Sequence, residues 1–343
     1  MGIDYTITPV PNPTNQNALQ STEQICKNCS VNLLEQAHLR GCPSFLFAGI
    51  KEEKPSLTAS HLLNKRLDLI KQGKYAEISF SFKALTKITK ALYPGTVTLF
   101  CGAPGSCKSL FLLQQLNHWH DIAVPACILA IEGDMEHHMM RALAQRTLTT
   151  GLTEIEWIDA NYEEAAKILE DCEIFTDEFA QTIHLPDKKL FNLDTTVAWV
   201  IEMAQDGKRI IVIDPVTKIP NGAAQGWTAE ANFINQMEEV ATKYGISIIL
   251  VTHPKNGLAL KPSMESLAGS AAYSRFSHTI LWLEAHDEIT GNVQLATGPD
   301  RVTYNRTLHT LKARNGNGQG VADAFNFSIE GLLMTECGPI TKK

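Results

Sequence analysis

The chain has 343 residues, of which 44% are apolar and 20% charged, and its formal net charge is −7. That is the make-up of a soluble globular chain with room for one large domain and an appendage, or for two domains. The acidic balance argues against general coating of polyanions, so any nucleic-acid contact must come from a local basic surface. No apolar run approaches the ~20 residues needed to span a bilayer. The eight cysteines are unpatterned beyond residue 42 and no signal peptide precedes them, which points to a reducing, cytoplasmic compartment.

Residues 1–20 are rich in Pro, Asn, Thr and Gln and are expected to be extended or disordered. Met1-Gly2-Ile3-Asp4-Tyr5-Thr6 fits the loose myristoylation pattern, but nothing else suggests a membrane, so chance is the better reading. Cys26 and Cys29 form a C-x₂-C knuckle, and His38 and Cys42 follow. These four side chains could hold zinc tetrahedrally, although the irregular second half favours spare or buried thiols. Residues 1–58 are read as an N-terminal extension.

Ser60 to Gly73 carries an amphipathic helical pattern, with Ser60 as N-cap, a stripe of Leu62, Leu63, Leu67 and Ile70, and Gly73 as the stop. A helix this short must dock its stripe to be stable. The chain's own core and a neighbouring subunit are equally good partners by pattern. Residues 59–75 are thus a linker helix, and 76–343 the main domain. Leu85 to Tyr93 reads as a second short helix, and Pro94-Gly95 turns the chain into the next strand.

Thr96 to Cys101 is an apolar, β-rich run. It enters the turn Gly102-Ala103-Pro104-Gly105-Ser106-Cys107-Lys108-Ser109, and an apolar helical pattern follows. Strand, glycine-bearing loop and helix are the context of a phosphate-binding loop. Its backbone N–H groups and the helix N-terminus converge where a polyphosphate can sit. In this reading Lys108 reaches the β- and γ-phosphates of ATP and Ser109 holds Mg²⁺. Cys107 stands where the pattern G-x-x-x-x-G-K-[ST] has its last glycine. That glycine allows close backbone approach at dihedrals that penalise a Cβ, so the cysteine bears on hydrolysis rate more than on binding.

Cys127 to Ile131 is a buried strand ending at Glu132, an acid placed to orient and deprotonate an attacking water. Residues 153–206 read as helices, with a short strand pair near Cys172–Phe175 and Thr182–His184. Arg209 to Asp214 is the next strand, and Asp214 at its carboxyl end reads as a Walker B acid in the Mg²⁺ shell. A Gly- and Asn-bearing loop from Pro215 to Thr228 carries one cation, Lys218. A helix of about 16 residues follows to Tyr244, capped by Gly245. Ile246 to Val251 delivers Thr252 and His253, and His253 can hydrogen-bond a γ-phosphate and report it to the loop with Lys255, Asn256, Gly257 and Lys261.

Strands that alternate with helices, each a continuous apolar run, imply a mostly parallel twisted α/β sheet covered on both faces. The singled-out residues fall at the carboxyl ends of its strands. His278 to Glu284 is a further strand. Leu308 to Arg314 and Ala324 to Ser328 read as antiparallel additions around an Asn315-Gly316-Asn317-Gly318 turn.

Together these residues resemble the RecA-like helicase superfamily that includes DnaB, the phage primase–helicases and Twinkle, from about Leu62 to Phe327. Val251-Thr252-His253-Pro254-Lys255-Asn256 looks like its sensor strand and the DNA-binding loop beyond. Ser266-Leu267-Ala268-Gly269-Ser270 looks like its L-x-G-S segment, and Leu311-Lys312-Ala313-Arg314-Asn315-Gly316 like its K-x-R segment. The resemblance implies a RecA-like P-loop NTPase core and a hexameric replicative helicase. In such a ring Lys312 and Arg314 enter the next subunit's ATP site, and Lys218, Lys255, Asn256 and Lys261 grip single-stranded DNA in a central channel. It also implies that helix 60–72 docks on a neighbour. It suggests a primase or polymerase partner, although the chain has no primase domain of its own and residues 1–55 match nothing in the family. Phage, plasmid or bacterial DNA replication is the expected setting. The alternative is a RecA- or KaiC-like regulatory ATPase or DNA-binding assembly module that does not unwind.

Overall fold

The computed structural model describes residues 58–73, 75–187, 191–221, 226–255, 261–268, 271–295 and 297–341. Cys26, Cys29, His38, Cys42 and Asn256 lie outside them, so the zinc reading does too. The chain divides into two compact units, Met1–Leu63 and Asn64–Lys343. Of the first, the described residues are 58–63, where helix α1 (Ala59–Lys71) begins. Among the described residues no helix is long and apolar enough to cross a membrane.

The second unit is built on a nine-stranded sheet in the order β3-β2-β4-β5-β1-β6-β7-β8-β9. The strands are β1 (Thr96–Gly102), β2 (Ala126–Ala130), β3 (Ile183–His184), β4 (Ile210–Asp214), β5 (Ser247–Thr252), β6 (Thr279–Leu295), β7 (Gly298–Ala313), β8 (Ala322–Ser328) and β9 (Leu333–Pro339). From β3 to β6 every pairing is parallel; from β6 to β9 every pairing is antiparallel. β1, β2, β4 and β5 are buried along their whole length, as continuous Val/Ile/Leu-rich runs in a parallel sheet must be. The α/β core with C-terminal antiparallel strands expected from the sequence is the fold observed.

Helix α1 starts one residue before Ser60. Thr58, not Ser60, accepts the N-terminal bond, from the His61 N–H at 3.3 Å. Gly73 ends it at φ +69°. None of its residues is buried, and Leu62, Leu63, Leu67 and Ile70 are each at least half exposed. Helix α2 (Lys83–Thr89) stops at Lys90, which takes the left-handed conformation at φ 48°, so it is shorter than the pattern up to Tyr93 implied.

The strand expected at Cys172–Phe175 is a helix instead, Glu173–Ala180. Phe175 and Phe179, four apart, both bury and pack ring to ring at 5.0 Å, which is the helical rather than the strand period. β6 and β7 are also far longer than the apolar runs that marked them. Their distal halves alternate and are half exposed, and each is held by pairing with the other.

The main core centres on Phe111, on the helix after β1. Its ring lies 4.9 Å from Phe100, 5.2 Å from Phe82, 6.3 Å from Phe325 and 6.4 Å from Phe80. β1, β8 and the segment before α2 are thereby clamped onto one helix. α2 has no side-chain cap of its own. Glu336 on β9 supplies one, accepting from the Ala84 and Leu85 N–H groups at 3.0 and 2.8 Å. A carboxylate there also suits the helix dipole.

The same end of the sheet holds Asp323, fully buried, with neither carboxylate oxygen hydrogen-bonded. Burial, and secondarily the Glu336 charge, push its pKa up to about 7 from 3.8. Because the folded value is the higher one, the folded chain binds more protons between these limits. Stability therefore falls as pH rises from about 4 to about 7 and is level above. Asp323→Asn should remove this penalty. In urea titrations its stability relative to the wild type should grow across that pH window, by on the order of 4 kcal/mol, and the two proteins should converge below it.

Candidate functional site

The parallel register assembles the site. β1 pairs with β5 so that Cys101 faces Thr252, and β4 pairs with β2 so that Asp214 faces Ala130. The residues just beyond these positions are Gly102, His253 and Glu132, so they emerge on one edge. A backbone bond from Ile131 N–H to the Asp214 carbonyl at 2.9 Å prolongs that alignment.

Gly102 has no room for a side chain. A Cβ there would stand 2.5 Å from the Leu283 carbonyl oxygen and 2.7 Å from Ser106 Oγ. Gly105 has φ +78°, the region glycine enters without penalty. Cys107 is also left-handed, φ 73° and ψ 29°, and is the N-cap of helix α3 (Lys108–Asp121). The chain thus takes the turn that the glycine pattern encodes while carrying a Cβ. That conformation costs a non-glycine residue about 1–2 kcal/mol.

Lys108 is buried, and its ammonium donates to the Gly102 and Ala103 carbonyls at 2.8 and 3.0 Å, across the mouth of the loop. Burial holds its pKa down, opposed chiefly by the Asp214 charge. Asp214 is buried too. Burial raises its pKa, opposed by a hydrogen bond from Ser109 and by Lys108. An oxygen pair of hydroxyl and carboxylate suits Mg²⁺, which binds through one or two protein oxygens and its ligand's phosphates. These residues fit a magnesium–nucleotide ligand, and a metal held this way needs no cluster of three ligating side chains; among the described residues there is none.

Glu132 is half exposed and ion-paired to Lys218 in the turn after β4. Its carbonyl accepts from His138 Nε2 at 2.8 Å. Exposed pairs of this kind contribute ~0–1 kcal/mol, so Lys218 can exchange Glu132 for another anion at little cost. His253 has Nδ1 buried and without a partner. Burial lowers its pKa, and Lys108 and then Lys218 add to the effect against Glu132. The neutral imidazole is thus favoured beside the loop.

Lys255 donates to the Glu265 carbonyl at 2.8 Å, and the segment closes through the Pro254–Leu267 bridge. Lys261 is exposed.

Lys312 and Arg314 stand elsewhere. Lys312 pairs with Ile280, which pairs with Leu99, whereas the loop begins at Gly102 opposite Leu283. They are therefore back from the loop by about 10 Å or more along the sheet. Lys312 donates to the Ser274 and Arg275 carbonyls at 2.7 and 3.1 Å, and Arg314 to Arg275 at 2.7 Å. Both cations are turned toward the amino edge of β1.

Pattern reading missed Arg306 and Arg141. Arg306 on β7 sets Nη2 3.6 Å from Cys107 Sγ and lies over the Phe327 ring at 5.2 Å. Arg141 is close enough to feel the Cys107 charge. Arg306 is 199 positions from Cys107, so no local motif could have signalled it.

Cys107→Gly should relieve the left-handed strain, raise the melting temperature and keep nucleotide affinity. Cys107→Val, β-branched at the same φ, should cost roughly tenfold in affinity. Fluorescent-nucleotide titration and thermal unfolding check both.

No curated protein matches the sequence. Among solved structures, the ATPase domain of a DnaB-like replicative helicase superposes with a TM-score of 0.61 at 15% identity, covering 82% of this chain and 98% of that one. At that identity the likeness is one of fold, and it bears out the RecA/DnaB-like core that the sequence resembles. Residues 74–258, more than half of the chain, match the family model described as AAA domain. With its phosphate loop, buried lysine and strand-end acids, the chain belongs to the AAA domain family of P-loop ATPases.

Proposed function

We propose that the chain is an ATP-driven helicase that forms a ring, a hexamer, around single-stranded DNA and translocates on it, in phage, plasmid or bacterial replication. One observation carries this reading. The phosphate loop and the Lys312–Arg314 pair occupy opposite ends of the same strands, so a chain cannot turn its own pair onto its own phosphates. A head-to-tail neighbour can, and heterologous contacts of this kind close into rings.

The apolar stripe of α1, exposed along Leu62, Leu63, Leu67 and Ile70, supports the same arrangement, since a neighbour is the partner it lacks. In this scheme Lys108 and the loop amides hold the β- and γ-phosphates. Ser109 and Asp214 are the residues that would hold Mg²⁺, whose charge offsets that of the polyphosphate. Glu132 accepts the proton of the attacking water, and the neutral His253 ring donates toward the γ-phosphate. Release of Lys218 from Glu132 links phosphate occupancy to the loop after β4. Lys218, Lys255, Asn256 and Lys261 track the DNA backbone, few per chain but repeated around a ring. A replicative primase or polymerase is the expected partner.

A second reading has its own support. Cys107 keeps a strained dihedral in the loop and Lys218 is paired with an acid. Both suit a slow, regulatory ATPase that binds DNA or protein without unwinding.

Forked-duplex unwinding separates the two. The motor predicts ATP-dependent strand separation that Lys108→Ala abolishes; slow turnover without separation would favour the regulatory module. Arg314→Ala should lower turnover ~10³-fold or more and spare nucleotide binding. Mixing it with Lys108→Ala protein should restore part of the activity, and no recovery at any ratio would rule out a shared site. DNA affinity should fall along a log–log line with salt; a flat response would rule out backbone tracking.

A further inference from the structure

At the amino edge of β1, about 20 Å along the strand from the phosphate loop, lies a cavity of about 550 Å³. It is lined by three potential cations, Arg66, Lys90 and His278, by the rings of Tyr75 and Tyr93, and by Asn315. None of the lining residues is acidic. The nearest acids are Glu238, 3.9 Å from His278 Nε2, and Glu77, which faces Lys90.

The geometry points to a second ligand site, distinct from the phosphate loop, that takes a mononucleotide. Its volume is in the range of small-molecule pockets. Its chemistry combines anion binding with flat aromatic surface. Arg66 lies over the Tyr75 ring at 4.5 Å and Lys90 over Tyr93 at 5.9 Å, so each cation is already set against a ring on which a base can stack. His278 is fixed through Nδ1, which accepts from Val97 N–H at 3.2 Å, and therefore carries its proton on Nε2. Asn315 offers both donor and acceptor to a base or ribose edge.

Lys90 carries the sharpest sign of selection for a side chain. It occupies the left-handed position that ends α2, φ 48°, where glycine is the low-cost residue. A lysine held there brings its ammonium to the cavity wall. The far wall includes the segment that bears Arg314, whose N–H donates to the His278 carbonyl at 3.0 Å, so a ligand here would touch the strand end that carries Lys312 and Arg314.

The test is calorimetric titration of the full chain with AMP, alongside inorganic phosphate and adenosine as competitors. AMP should bind, Lys108→Ala should leave that binding intact, and both competitors should displace it. Arg66→Ala and Lys90→Gly should each weaken AMP roughly tenfold. Lys90→Gly suits its backbone position, so it removes the charge without threatening the fold. AMP binding that disappears in Lys108→Ala and survives both cavity variants would assign the ligand to the phosphate loop and overturn the proposal. So would no AMP binding, or displacement by phosphate with none by adenosine.

Discussion

The whole site depends on how tightly β1 is held between β5 and β6. Gly102 ends β1 against the Leu283 carbonyl and the Ser106 hydroxyl, with no space for a single methyl group. Close packing at that point fixes where the loop starts, and the loop fixes where Lys108 and Ser109 begin their helix. Because interiors are packed as densely as organic crystals, the position cannot drift to accommodate a bulkier residue.

Register then converts one fixed strand into a site. Hydrogen-bonded neighbours bring Asp214, Glu132 and His253 level with the end of β1, although they are far apart in sequence. Burial keeps the resulting charges in balance. It disfavours both the Lys108 ammonium and the Asp214 carboxylate, and each is supported by the other. The same sheet carries Lys312 and Arg314 at its opposite edge, where they hydrogen-bond the end of the short helix before β6. One rigid sheet thus presents a phosphate cradle at one end and a cationic pair at the other, which is what a repeating head-to-tail assembly uses.

The two readings of function differ at two exposed or strained points, Cys107 and the Glu132–Lys218 pair. Each is inexpensive to alter: about 1–2 kcal/mol for the left-handed cysteine and ~0–1 for the ion pair. Energies of that size tune rate and coupling without disturbing the core around Phe111.

The sequence by itself determined what is local. Continuous apolar runs declared the buried strands, the glycine-bearing turn before Lys108-Ser109 declared the cradle, and acids at strand ends declared their side of the sheet, because parallel strands bury both faces and expose only their tips. Tertiary structure decided what depends on partners far along the chain. Arg306 beside Cys107 and Glu336 capping α2 each join segments some 200 residues or more apart. The helix at 173–180 emerged because Phe175 and Phe179 had a core to bury in, and the long β6–β7 hairpin because each strand satisfies the other's backbone. No residue pattern within a short window contains the neighbour that makes these arrangements favourable.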